Sequence, residues 1–200
     1  MFRSRDDRPG PEAAPIDADE PAERRLIGRI AARDLHAFEQ LYRAYRARLT
    51  RFLDRMTRHS GLIEEVLNDT MLVVWNRAER FDGSSKVSTW IFAIAYRKAL
   101  KALQRQDEAV EEETPDERSA SGAGPEQQAQ DRQVKAQLVR ALDALSVDHR
   151  TVVELTYFHG MGYREIAQIV DCPVDTVKTR MFHARRRLRG LLAGNAKDWL

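Results

Sequence analysis

Residues 163–189 read YREIAQIVDCPVDTVKTRMFHARRRLR, and the fold turns on how that stretch divides. Ile166, Ala167 and Val170 share one face of a segment running from Tyr163 to Val170. Val177, Met181, Ala184 and Leu188 recur at spacings of four, three and four in a segment from about Val174 to Leu192. Those spacings follow the helical period, in which residues three or four apart lie on one side. Only Asp171, Cys172 and Pro173 separate the two segments. Proline has no amide hydrogen to lose and suits a helix start. Two helices joined by so tight a turn predict a helix-turn-helix.

The second of these helices is polar outside its apolar stripe. Lys178, Thr179, Phe182, His183 and Arg186 adjoin the stripe, Arg180, Arg185, Arg187 and Arg189 add charge, and Asp175 is the one acid. Such a helix can set arginines on phosphates while side chains near its start reach base edges in a major groove. A basic terminal helix is often no more than a solvated face. The tight turn and the compact helix before it favour duplex DNA.

Working upstream, Val134, Leu138, Ala141, Leu142 and Leu145 keep helical period, and Ser146 is placed to cap a helix carrying Val152, Leu155 and Phe158. Gly160 and Gly162 are expected to end that helix. Residues 132–194 then form one small helical domain, with 195–200 a tail. Between residues 104 and 131 the period vanishes. There Asp107, Glu108, Glu111, Glu112, Glu113, Asp116, Glu117, Glu126 and Asp131 face only Arg105 and Arg118. By composition this is a flexible acidic linker that polyanions repel.

The N-terminal half repeats the helical pattern. Asp34 can cap a long helix bearing Phe38, Leu41, Tyr42, Tyr45, Leu49, Phe52, Leu53 and Met56. After Ser60 and Gly61, a second helix carries Ile63, Val66, Leu67, Met71, Val74, Trp75 and Ala78. Phe81 to Lys86, with Asp-Gly-Ser-Ser at its centre, predicts a loop. Ser88 can cap a third helix with Trp90, Ile91, Ile94 and Ala95 inward and Arg97, Lys98 and Lys101 beyond. With a short helix around Leu26, Ile27 and Ile30, residues 22–103 make a first helical domain. Residues 1–21 contain four of the chain's seven prolines, Pro9, Pro11, Pro15 and Pro21, together with Gly10, and are expected to be a disordered tail. The fold class is therefore all-α, two small helical domains on a flexible acidic linker. Tyr42, Tyr45, Phe52 and Trp75 fall on apolar faces and read as core, as does Trp90 from its spacing to Ile94.

The whole-chain balance, 33 basic against 31 acidic residues, argues against a uniformly basic coat protein. The single cysteine, Cys172, excludes an internal disulfide, and no apolar run approaches the roughly 20 residues of a membrane span. MFRSRDDRPGPEAAP lacks the apolar centre of a secretory signal. A soluble, cytoplasmic protein without membrane insertion is expected. Cys172, His159 and His183 match no compact zinc spacing, so no metal is expected. Cys172 reads as a small turn residue rather than a redox thiol. No phosphate loop or nucleophile elbow is present, which predicts no catalytic residue, no cofactor and no enzyme activity.

These residues together carry a family resemblance. YREIAQIVDCPVDTVKTRMFHARRRLR resembles the promoter-reading helix-turn-helix of extracytoplasmic-function (ECF) sigma factors of the sigma-70 family. AFEQLYRAYRARLTRFL, LIEEVLNDTMLVVW and STWIFAIAYRKAL resemble the other domain of that group, in the same order. The resemblance implies a sigma factor that binds core RNA polymerase and directs initiation at particular promoters. It implies polymerase docking on the beta-prime clamp helices by Glu64, Glu65, Asn68, Asp69 and Val73. It implies minus-10 recognition by Ser84, Ser85, Lys86, Trp90, Tyr96 and Arg97, and minus-35 recognition by Lys178, Thr179, Arg180, Phe182, His183, Arg185 and Arg186. It also implies an anti-sigma partner. The rival reading is a helix-turn-helix regulator that binds duplex DNA without replacing sigma.

Overall fold

A computed structural model of the chain describes residues 20–109 and 136–193. Among the described residues there are helices and no strand. Four helices form the first unit: α1 (Glu20–Ala31), α2 (Leu35–Thr57), α3 (Ser60–Arg77) and α4 (Val87–Ala109), with a short 3-10 turn at Ala78–Arg80. The second unit contains α5 over 136–143, α6 (Val147–Tyr157), α7 (Tyr163–Val170) and α8 (Val174–Ala193). The all-α, two-unit expectation holds. Most of the expected acidic linker, residues 1–19 of the expected N-terminal tail and the whole expected C-terminal tail lie outside the described residues.

Local chemistry sets several helix ends where the sequence placed them. The Asp34 carboxylate accepts from the Ala37 amide at 3.1 Å, capping α2. That bond, together with Arg29, holds the Asp34 acid below the usual carboxylate range. At the other end Arg58 turns left-handed, φ 61°, and its amide returns to the Asp54 carbonyl. Ser146 accepts from the His149 amide to start α6. Along α2, Ala37, Leu41, Tyr45, Leu49, Phe52, Leu53 and Met56 are buried, the predicted stripe. The Tyr45 hydroxyl donates to Glu23 at 2.6 Å, tying α1 to α2.

Three expectations are corrected. Helix α4 begins at Val87, so Ser88 lies inside it and is buried rather than capping it. The cap comes from elsewhere: the Val87 amide donates to the Glu20 carboxylate at 3.1 and 3.2 Å. That contact and the Arg24 ion pair at 2.7 Å anchor Glu20, so α1 starts inside the segment expected to be tail. Pro21 sits harmlessly in its first turn. Helix α4 also continues past residue 103 to Ala109, taking in Asp107 and Glu108. Arg105 pairs with Glu65 of α3 at 2.9 Å, which supports the polar extension from the side.

The two units touch. Helix α7 packs along α4, and α6 packs on α2. Buried apolar residues of both units, among them Phe52, Phe92, Leu155 and Ile166, belong to one continuous cluster.

Candidate nucleic-acid interface

The helix-turn-helix is built by its turn. Glu165 reaches back to the Gly162 amide at 2.8 Å to start α7. Asp171, left-handed at φ 52°, ends it, and the Cys172 amide donates to the Ala167 carbonyl. The Pro173 carbonyl then accepts from Thr176 and Val177, opening α8. Val177, Met181 and Ala184 are buried against Ile166 and Val170, and Leu188 is partly covered, as the spacing required.

That packing leaves one face of α8 in solvent. Lys178, Thr179, Phe182, His183, Arg185 and Arg186 are exposed, Phe182 to 63%. The Phe182 ring lies edge-on to His183, which in turn lies 6.2 Å from the His149 ring of α6. Lys178 pairs with Asp175 at 3.0 Å, and the Thr179 hydroxyl donates to the Asp175 carbonyl. Arg185 is oriented by a bond to the Tyr157 hydroxyl at 3.0 Å. Arg180 differs from the rest. It is half-buried and paired with Asp148 of α6 at 2.6 Å, so it joins two helices of its own domain.

In the first unit the residues expected to face the minus-10 element gather around the Phe81–Lys86 loop and the start of α4. Arg24 pins this loop by donating to the Gly83 and Ser85 carbonyls at 3.2 and 3.0 Å. Gly83 has φ 73°, and a Cβ there would fall 2.5 Å from the Arg24 guanidinium. The Ser84 amide donates to Asp82. Trp90 is half-buried with its ring 5.3 Å from Phe81, consistent with packing. Arg97 is exposed. Tyr96 is not: it is 5% exposed, and burial followed by the nearby Asp148 raises its pKa. Lys86 pairs with Glu165 of α7 at 3.0 Å. The second unit thus lies over part of this surface.

Glu64, Glu65 and Asn68 are exposed along α3, with Asp69 and Val73 half-exposed. Each of the polar four is engaged within the unit: Glu64 with Arg46, Glu65 with Arg105, Asn68 with the Tyr42 hydroxyl and Asp69 with Lys98. Beside them Leu72 stands 56% exposed and, with Leu35, Phe38, Tyr42 and Trp75, lines an apolar groove. Sequence reasoning missed Leu72. Its signal is a phase error, an apolar residue off the buried stripe of Ile63, Val66, Leu67, Met71 and Val74. Arg24 was missed too, and nothing local marks it.

Among the described residues no cluster of three or more His, Cys, Asp or Glu could hold a metal, and no helix is long and apolar enough to cross a membrane. Cys172 is half-buried in the turn.

Residues 41–109 match the family profile Sigma-70 region 2, and residues 135–188 match Sigma-70, region 4. The ECF RNA polymerase sigma-E factor of Escherichia coli (strain K12) is 28% identical over 173 residues, 82% of this chain and 90% of its own length. ECF RNA polymerase sigma factor SigK of Mycobacterium sp. (strain JLS) is 27% identical over 172 residues, covering 84% and 89%. The chain belongs to the ECF group of the sigma-70 family. Solved structures agree on the fold of this sigma factor. CnrH, solved with the cytosolic domain of CnrY, superposes with a TM-score of 0.65 at 24% identity, covering 87% of this chain and 99% of that one. The sigma factor RpoE of Bartonella quintana, solved with the anti-sigma factor NepR, gives 0.62 at 23% identity, covering 78% and 96%. Promoter-directed transcription initiation is the function of this sigma factor.

Proposed function

We propose that this sigma factor divides promoter recognition between its two units and leaves all bond-making to the polymerase. The α8 face carries the reading: a helix packed by Val177, Met181 and Ala184 presents Lys178, Thr179, Phe182 and His183 together. These four address bases of the minus-35 duplex, while Arg185 and Arg186 address phosphates. Arg180, held by Asp148, sets the tilt of α8 on α6. Ser84, Ser85, Lys86, Trp90, Tyr96 and Arg97 address the minus-10 element, where aromatic and cationic groups suit an unstacked strand.

Core RNA polymerase docks its beta-prime clamp helices on Glu64, Glu65, Asn68, Asp69 and Val73 of α3. Exposed Leu72 adds apolar area beside that acidic face. An anti-sigma protein is a further partner, on the analogy of CnrH with CnrY and of the Bartonella factor with NepR. The protein works in the cytoplasm, where the polymerase is.

The experiment is transcription from pooled genomic fragments by purified core polymerase, with and without the chain, followed by sequencing of RNA 5′ ends. New discrete starts sharing two upstream motifs are expected. Duplex binding by the chain alone, with no new starts, would replace this reading with the regulator.

A further inference from the structure

The exposed face of α8 continues onto the first turn of α6. His183 has its ring 6.2 Å from that of His149, the third residue of α6. The two rings border an open hollow of about 340 Å³ lined by His149, Asp175, Thr176, Thr179, Arg180 and His183, every one of them polar. His149 is held in a fixed pose there. Its Nδ1 meets the Ser146 hydroxyl at 3.0 Å, and its amide donates to the same oxygen at 3.4 Å. A serine oxygen has lone pairs for both, so a charged ring can donate inward through Nδ1 and keep Nε2–H for an outside acceptor.

The charges around the hollow favour an anion. Asp148, next to His149, is engaged by Arg180 at 2.6 Å, and Asp175 by Lys178 at 3.0 Å. Arg150, the next residue of α6, is buried with Asp143 at 3.7 Å. Tyr96 of α4 neighbours the Asp148 and Arg180 pair, and burial keeps its phenol neutral. Along α8, Arg186 and Arg187 border His183 on its other side, both exposed. Each acid at the hollow is thus matched by a cation, while the two histidines and two arginines face outward. An α-helix with its side chains is about 10–12 Å across, and the major groove of B-DNA is about 12 Å wide. A helix such as α8 therefore fills the groove that it reads, and a side chain on the helix beside it stands over the phosphates of the groove's edge.

We propose that His149 is a further DNA-contacting residue of this sigma factor: as an imidazolium it donates from Nε2 to one backbone phosphate beside the minus-35 element, while His183 faces the bases. This rests on the minus-35 assignment of α8. The contact makes promoter binding proton-linked, because histidine changes charge between about pH 5 and 8 and a phosphate at Nε2 favours the protonated ring. Grip on the minus-35 element tightens as pH falls. The arginines of α8, charged throughout that range, confer no such dependence.

The test uses holoenzyme assembled from core polymerase and the full chain, on a promoter recovered by the pooled transcription, with single phosphates across the minus-35 element replaced in turn by neutral methylphosphonates. At pH 6 one replacement is expected to weaken wild-type binding about tenfold more than it weakens binding by His149→Gln, and at pH 8 the difference should shrink to about twofold. Glutamine three residues after a serine cap suits a helix start, so His149→Gln keeps α6. His149→Arg should restore the sensitivity at both pH values, since its charge does not titrate. Equal sensitivity of wild type and His149→Gln at every phosphate would overturn the contact and leave the α8 reading standing. Loss of the pH dependence in His183→Gln but not in His149→Gln would overturn it too, by placing the titrating group on α8. If no phosphate of the element mattered to any of these proteins, the minus-35 assignment would fall, and this contact with it.

Discussion

The exposed face of α8 and the face formed by the Phe81–Lys86 loop with the start of α4 are assigned to the same kind of ligand, yet they stand in opposite states. On α8, Lys178, Phe182, His183 and Arg186 meet solvent, and burial stops at the stripe beneath them. On the other face, Lys86 is paired to α7 and Tyr96 is buried beside Asp148 and Arg180. A duplex presents its grooves without rearrangement, so a surface that reads it can stay open. A strand must first be unpaired, and a surface that grips it early gains nothing until polymerase has opened the DNA. On the proposed assignments the two faces are used at different times, and α7 lies over the one used later.

The harshest way to break this contrast is to destroy the cover. Val177 is fully buried on the inner face of α8, and Val177→Asp places an unpaired carboxylate there, at a cost on the order of 4 kcal/mol. The expected outcome is loss of hydrogen-exchange protection across α6, α7 and α8 while α2 and α3 keep theirs. Amides at the start of α4 should exchange faster as well, because α7 no longer covers them. Unchanged exchange there would mean that the covering unit protects nothing.

The next largest effect concerns the open face. Lys178→Ala and His183→Ala should each change base preference at one minus-35 position, by roughly 1–3 kcal/mol in discrimination. Start-site sequencing with a randomised upstream element reads this directly. A uniform drop across all sequences would reassign the side chain to the phosphates.

Much of this was legible before any coordinates, and the divide is physical. The α2 cap at Asp34, the α6 cap at Ser146 and the Val177, Met181, Ala184 stripe are contacts within one or two turns, so spacing reveals them. Glu20 capping Val87, Arg24 pinning Gly83 and Glu165 on Lys86 join residues far apart in sequence, and no local period records them. The reach of α4 to Ala109 was hidden for a related reason. Asp107 and Glu108 look like linker in a window of their own, whereas the pair between Arg105 and Glu65 supports that turn from another helix. His159 was weighed only as a metal ligand, and packing alone shows its ring against the Phe52 and Phe92 pair. The residues expected at the minus-10 element come from the resemblance alone, and the covering of Lys86 and Tyr96 by the second unit has no signature in sequence.

Two buried titratable groups at the covered face sharpen the contrast through pH. Burial lowers His159 from its ordinary 6.5 to about 4, helped by Arg48, Arg51 and Arg55. Burial raises Glu154 from 4.5 to about 7, against the pull of Arg55 and Arg150 and with Asp54 adding to the rise. The signs oppose. Stability from neutral His159 is present above pH 6.5 and is lost as pH falls through 4. Stability from protonated Glu154 is complete below 4.5 and is lost as pH rises through 7. Between 4.5 and 6.5 the two offset each other, so these groups leave the wild-type Tm nearly flat. His159→Phe should leave a Tm that rises on acidification from pH 7 to 4.5, and Glu154→Gln one that falls from 6.5 to 4. Parallel profiles for both variants would show that neither group is buried as described.

The smallest effect separates two arginines on the open helix. Arg186 is exposed, whereas Arg180 is held at 2.6 Å by Asp148. If α8 lies in a major groove with Arg186 on a phosphate, Arg186→Ala removes one released counterion, and the log-log salt slope of minus-35 binding falls by about 0.9. Arg180→Ala should leave the slope alone and instead lower the Tm slightly, since a partly exposed pair contributes at most about 1 kcal/mol. Its partner supplies the control: Asp148→Asn should reproduce the Tm loss of Arg180→Ala, and the double variant should lose no more than either single one. A reduced slope for Arg180→Ala would mean that the arginine leaves Asp148 for the DNA, which would make the α6–α8 contact part of recognition rather than its support.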